Sequence, residues 1–218
     1  RSRHTDALRL DGLRGKRIGV ARNFFGGSTA IDAIVDKELA LLQAQGAVLV
    51  DVKQPATPGL GEAEFDVLKM ELKSDLAAYL KTTPPAVKVR TLADVIAFNK
   101  ANEAAEMPFF GQDIFEAAEK TKGTAAPAYK PARAKSLALA TKALDTMLAK
   151  VAVIVTPSYG AAWLSDPVHG DQAGGPSASG LPAVAGYPHL TVPMGQVMGL
   201  PVGLSFIGPK WSEQRLFD

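Results

Sequence analysis

The chain of 218 residues contains no cysteine, which excludes disulfides, thiolate metal sites and a cysteine nucleophile. It has only three histidines, His4, His169 and His189, and no two stand at the i, i+4 spacing that sets two metal ligands on one helix face. His169 lies near Asp166 and Asp171, a grouping that reads first as solvated loop, and no metal or cofactor is expected. No apolar run approaches the roughly twenty residues that cross a bilayer. The opening RSRHTDALRLDG lacks the apolar stretch of a signal peptide, which leaves the compartment open and points to the cytoplasm rather than to secretion. A basic stripe with interleaved aromatics is also missing. The 24 basic residues stand against 22 acidic ones and are scattered, so nucleic acid is not an expected partner. The densest basic stretch, Lys120, Lys122, Lys130, Arg133 and Lys135, has helical spacing among alanines and reads as a solvated face.

What is present is a chain 47% hydrophobic and 21% charged, long enough to bury a full core as one domain, or one plus a lobe. The first residue is not Met, and the final EQRLFD reads as a helix stopped at its first turn. Both ends read as cut from something larger.

GKRIGVAR (15–22) suits a buried strand. After the glycine loop NFFGGS, Thr29 and Asp32 have capping-box spacing, and Ile31, Ile34, Val35, Leu39 and Leu42 repeat at helical period up to Gly46. AVLVDV (47–52) completes a βαβ unit with parallel strands. The fold class is therefore α/β. From 62 to 81, Phe65, Leu68, Leu72, Leu76 and Leu80 mark one buried helix face, broken by the TPP of 83–85. Thr91 and Asp94 cap a helix to about Asn102, its buried side led by Leu92, Val95 and Ile96. A short helix follows from 112 to about 121, then the loop GTAAPA, then an alanine-rich helix to Ala149. VAVIVTPS (151–158) is the most strand-like segment. Residues 159–186 are loop, with a short helix near 177–185. HLTVP and PVGLSF read as a hairpin turned by MGQVMG, with Pro188, Pro193 and Pro201 at strand ends.

GGPSASG (174–180) misses the nucleophile elbow G-x-S-x-G because Ser179 stands where glycine is required. No S-x-x-K occurs. FFGGSTA (24–30) opens a helix but lacks both G-x-G-x-x-G and the phosphate-loop lysine, and reads as a capped turn rather than an anion site. Thr156, Tyr159 and Trp163 follow the strand at 151–158, and ligands of α/β sheets usually sit at carboxyl ends of strands. These residues form either a pocket wall or an aromatic plug on the sheet end. His189, beside Pro188, reads as a hydrogen-bonded structural histidine.

LRGKRIGVAR, RTLADVIAFN, FFGQDIF, AVIVTPS, AVAGYPHLTVPMG, GLPVGLSFIG and WSEQ, in this order, resemble the carboxyl-terminal half of amidase-signature enzymes, and among them bacterial peptide amidases. The resemblance covers nearly the whole chain. It implies a single α/β domain with a mixed β-sheet covered by helices, of which these residues are the carboxyl-terminal portion. It also implies hydrolysis of carboxamides to acid and ammonia by a serine, cis-serine and lysine triad. The segments bearing that triad belong to the amino-terminal half and have no counterpart here, so no catalytic residue is assigned. The resemblance supports Thr156, Ser158, Tyr159 and Trp163 as substrate-wall residues, with Phe110 and Gln112 near the substrate entrance. Expected partners are a small amide or peptide amide and the missing amino-terminal half. Without that half, an open strand edge and apolar face would favour self-association. Ala152 replaces an Asp common in the family, a minor departure. Pro176 stands where glutamine-using tRNA amidotransferases carry an acidic residue, which counts against the amidotransferase reading. The other alternative is a non-catalytic binding module built on the same half-fold.

Overall fold

The computed structural model describes residues 8–9, 11–172 and 177–217. The chain divides into two compact units, one drawn from the segments up to Thr57 and from Ala138 onward, the other spanning Pro58–Leu137.

The first unit is built on a five-stranded sheet. β1 (Arg17–Ala21), α1 (Thr29–Ala44) and β2 (Val48–Val52) form the βαβ unit, with Ile18 opposite Leu49 in parallel register. Its helix starts one residue earlier than the sequence spacing implies. Ser28 is the N-cap, accepting from the Ile31 amide, while the Asp32 carboxylate accepts from the Gly26 amide at 2.9 Å. The expected Thr29–Asp32 box is absent because Ser28 reaches the orphan amide of the first turn and frees Asp32 to brace the glycine loop.

β3 (Val153–Pro157) lies parallel to β1, and β5 (Leu200–Ile207) pairs antiparallel with both β3 and β4 (His189–Val197), giving the order β2-β1-β3-β5-β4. The sheet is therefore mixed, as the resemblance implies. The β4–β5 hairpin is longer than HLTVP and PVGLSF alone. Pairing continues to Val197 and Leu200, with a bulge at Pro193/Gly195 and the turn reduced to Met198 and Gly199, at φ 52 and 79. Two consecutive residues at positive φ match the right-handed strand twist in a two-residue turn. Pro193 thus lies inside β4, where its missing donor is tolerated on an edge strand beside a bulge.

The core of this unit sits between α1 and one face of the sheet. Ile31, Val35, Leu39 and Leu42 meet Ile18, Val20, Val153, Val155, Val202 and Leu204. Val20, Val35 and Val155 have no exposed surface, and each such side chain contributes about 1.5–3 kcal/mol by leaving water. By strand alternation Ile154, Thr156 and Ser158 point to the opposite face. A short helix α7 (Gly180–Ala185) and the terminal turn α8 (Glu213–Phe217) complete the unit.

The second unit contains α2 (Leu60–Leu80), α3 (Leu92–Ala101), α4 (Glu103–Glu106), α5 (Asp113–Glu119) and the start of α6 (Tyr129–Leu148). α3 carries the expected capping box, Thr91 and Asp94 exchanging side-chain and backbone bonds. α2 turns differently from the predicted stripe. Its buried residues are Ala63, Val67, Met70 and Leu80, while Phe65 and Leu68 are exposed. The helix is apolar on two sides, and the side with smaller residues faces a 3-10 turn at Gly123–Ala125. There an added Cβ on Gly123 would meet Ser74 and Met70, a close approach that Phe65 and Leu68 would prevent. Beyond α2, Arg90 closes the chain. Its guanidinium donates to the carbonyls of Leu80 (2.6 Å), Thr83 (3.2 Å) and Pro84 (3.0 Å), bracing the turn that follows the helix end.

Candidate functional site

At the carboxyl end of β3 the chain leaves the sheet through Ser158, whose amide donates to the Gly203 carbonyl at 2.8 Å and whose carbonyl accepts from Ala178 at 3.0 Å. On the same face, β5 places Ser205 directly between Thr156 of β3 and Thr191 of β4. Ser205 has no exposed surface. Its Oγ lies 2.6 Å from His189 Nε2, 2.7 Å from Ser158 Oγ and 3.3 Å from Thr191 Oγ1. Gly203 makes this approach possible, since a Cβ there would stand 2.6 Å from Thr191 Cγ2 and 3.0 Å from Ser158 Oγ. His189 is half-buried, and that burial holds its pKa below the usual imidazole value.

The predicted wall residues of this unit fall into two groups. Thr156 is fully buried and donates to the Ala21 carbonyl at 3.3 Å, so it lies beneath the surface. Ser158 is half-buried. Tyr159 and Trp163 meet edge to face at 6.2 Å between ring centroids, and the Trp163 indole donates to Asp171 at 2.9 Å. This aromatic pair is polarised for edge-to-face contact and held by a polar anchor. Phe110 and Gln112 belong to the other unit. Phe110 is 81% exposed, whereas the Gln112 amide is occupied at both ends, accepting from Asn99 at 3.0 Å and donating to the Ile96 carbonyl at 3.2 Å.

Other sequence candidates resolve into structure. Asp166 accepts from the His169 amide and ring, and from the Val168 amide, which lowers its pKa. Asp166 and His169 thus close a loop, and among the described residues no group of three His, Asp or Glu side chains could hold a metal. His4, Pro176 and the first residues of GGPSASG lie outside the described residues. Ser177 and Ser179 pair with each other at 2.7 Å. The glycine loop before α1 spends its Gly26 amide on Asp32, so a carboxylate of the chain already sits where an anion would bind. A groove of about 390 Å³ beside α1 is lined by Arg22, Asp36, Gln43 and Asp51, among others, and includes none of the predicted site residues.

The AGYP turn sets where β4 begins. Tyr187 is buried and donates to Asp145 at 2.5 Å; burial first, then the Asp145 acceptor, push its phenol up to about 12. A raised native pKa means that this stabilisation is complete below the unfolded value near 10 and is lost as pH rises towards 12. Urea unfolding between pH 8 and 12 is expected to show wild type converging on Tyr187→Phe across that window. Parallel curves throughout would refute the linkage.

The participation of Ser205 and Thr191 is not legible in the sequence. Its signal there is weak: small hydroxyl residues on one parity of two strands, with a histidine two residues before one of them. Only the register brings them together.

A model of the Amidase family matches residues 1–217. The solved peptide amidase from Stenotrophomonas maltophilia is 38% identical with a TM-score of 0.88, covering 99% of this chain and 44% of that one. A probable amidase of Arabidopsis thaliana is 29% identical over 220 residues, covering 97% of this chain and 38% of its own length. A glutamyl-tRNA(Gln) amidotransferase component from Thermoanaerobacter pseudethanolicus is 26% identical over 232 residues, covering 99% and 45%. The chain thus spans less than half the length of each of these relatives.

Proposed function

The chain belongs to the Amidase family, and from that premise we propose that it forms the carboxyl-terminal portion of a single amidase domain that hydrolyses carboxamides to acids and ammonia, with a peptide amide as substrate. The observation that carries this reading is the likeness to peptide amidase, which runs through 99% of the chain at 38% identity. An amidotransferase component is the weaker reading because its identity is lower, at 26%.

In the proposed reaction a serine attacks the amide carbonyl, backbone amides hold the developing oxyanion, ammonia leaves, and water hydrolyses the acyl-enzyme. The serine, cis-serine and lysine of this scheme belong to the amino-terminal portion. The residues here supply a wall. Ser158, Tyr159 and Trp163 line it, with Thr156 beneath them. On the helical unit, Phe110 offers a further exposed apolar contact for substrate, and Gln112 holds its loop through Asn99 and Ile96.

The purified 218-residue chain is therefore expected to release no ammonia from a peptide carboxamide, and to do so once combined with the complementary amino-terminal portion of a peptide amidase. Turnover by the isolated chain, persisting after removal of any full-length enzyme, would overturn this reading. Glutamine-dependent ammonia release by the combined protein, without hydrolysis of peptide amides, would favour the amidotransferase alternative. Failure of the combined protein on both substrates would leave a binding module.

A further inference from the structure

Beside Ile154 and Ile207, the sheet face opposite the α1 core carries a cluster of hydroxyls. Ser205 is its centre, fully buried and surrounded by His189 Nε2, Ser158 Oγ and Thr191 Oγ1. Ser158 and Thr191 reach outward: Ser158 is half-buried and Thr191 exposed, with their oxygens 3.4 Å apart. We propose that His189 and Ser205 are positioning residues that turn the Ser158 and Thr191 oxygens into hydrogen-bond acceptors. In that state they select a carboxamide over the corresponding carboxylate. The inference rests on the reading that Ser158 lies on the substrate wall.

Counting protons fixes these roles. A serine hydroxyl has one proton and two lone pairs, and a neutral imidazole carries its single N–H on one nitrogen and a lone pair on the other. Burial, with no charged neighbour contributing, favours the neutral ring. When Nε2 accepts, the Ser205 proton goes to His189 along the 2.6 Å contact. The two Ser205 lone pairs then take the proton of Ser158, whose 2.7 Å contact with Ser205 outcompetes its 3.4 Å contact with Thr191, and the proton of Thr191. All three contacts of Ser205 are satisfied, which a fully buried hydroxyl requires. Both outer oxygens are left with lone pairs facing outward. A carboxamide nitrogen brings two N–H donors to such a pair, whereas a carboxylate brings only lone pairs of its own. In a reaction whose substrate is an amide and whose product is an acid, this arrangement holds the substrate and lets the product go.

Two measurements test it. In 15N-labelled protein at neutral pH, the His189 ring is expected to carry its proton on Nδ1 with Nε2 bare; a protonated Nε2 overturns the proposal. Chemical-shift titrations with N-acetyl-leucinamide and N-acetyl-leucine are expected to show the amide binding about tenfold more tightly, the scale of one buried hydrogen bond gained or lost. That preference is expected to disappear in Ser205→Ala and His189→Leu and to survive in His189→Gln, whose amide oxygen still accepts. If Ser158→Ala leaves both ligands unaffected, or neither ligand binds, the wall reading fails and the inference with it. If Ser158→Ala weakens the amide but Ser205→Ala keeps the preference, the inference alone fails. Should His189→Leu not fold, Ser205→Ala and the ring nitrogens decide the matter.

Discussion

Replacing Ile154 by alanine is expected to lower the unfolding free energy of the sheet unit by about 3 kcal/mol, within the range for a buried isoleucine truncated to a methyl group. The expected fall in melting temperature is roughly 6–12 °C. Ile154 has no exposed surface and sits in the middle strand of the sheet, opposite Gly19 on one side and Ile207 on the other. Strands flank it on both edges, so the backbone cannot move inward to fill the space left by the lost side chain. The cavity persists, and that accounts for the upper part of the penalty. Urea unfolding followed by circular dichroism measures the change. A loss below about 1 kcal/mol would mean that the site collapses and that β3 is not the clamped centre of the sheet.

Gly123→Ala is expected to cost about 2 kcal/mol in the helical unit. Two separate effects add. Gly123 has φ +59, a left-handed conformation that an alanine adopts at a cost of about 1 kcal/mol. The new Cβ would also stand 2.3 Å from Ser74 Oγ, which accepts from the Thr124 amide at 2.9 Å. Relieving the overlap means rotating Ser74 and giving up that bond. Gly61→Ala is the matched control. It lies in α2 with nothing within 4 Å of an added Cβ, so it is expected to be neutral or stabilising by up to about 1 kcal/mol. The melting temperature is expected to fall for Gly123→Ala and to hold or rise for Gly61→Ala. A rise in both would show that chain flexibility, not the contact at Ser74, governs Gly123.

These two positions also mark what a reader of the sequence can and cannot see. The run VIVTP is visibly a buried strand because branched residues follow one another without a polar break, and the βαβ unit is visible because its helix repeats at one period between two apolar runs. The buried side of α2 is not visible. Phe65 and Leu68 outweigh Ala63 and Met70 in hydrophobicity, but the neighbour of α2 leaves room only for the smaller side, and that neighbour is a turn some fifty residues further on. The start of α1 is ambiguous by one residue because Ser28 and Thr29 are both able caps, and only backbone conformation separates them. The β4–β5 hairpin outruns its sequence pattern because a bulge lets pairing continue past Pro193.

The candidate site is legible as a location more than as an arrangement. Ser158, Tyr159 and Trp163 follow from the rule that ligands gather where strands of an α/β sheet end. The link from His189 to Ser205 spans 16 residues, and it exists only because the hairpin register sets Thr191 opposite Ser205. A shift of one residue in β4 would turn His189 and Thr191 away from Ser205, to the other face.

The sheet also carries a timetable in its connectivity. Val197 and Leu200 meet across a two-residue turn, whereas Ile18 and Val153 are paired across about 135 residues that include the whole helical unit. Each doubling of a closed loop adds about 0.6 kcal/mol of entropic cost, so joining β1 to β3 is a costlier closure than zipping β4 to β5. The hairpin that carries His189, Thr191 and Ser205 is therefore the most local pairing in the sheet, shorter in span than the β1–β2 pairing across α1. The parallel β1–β3 seam must wait until the long intervening stretch has become compact.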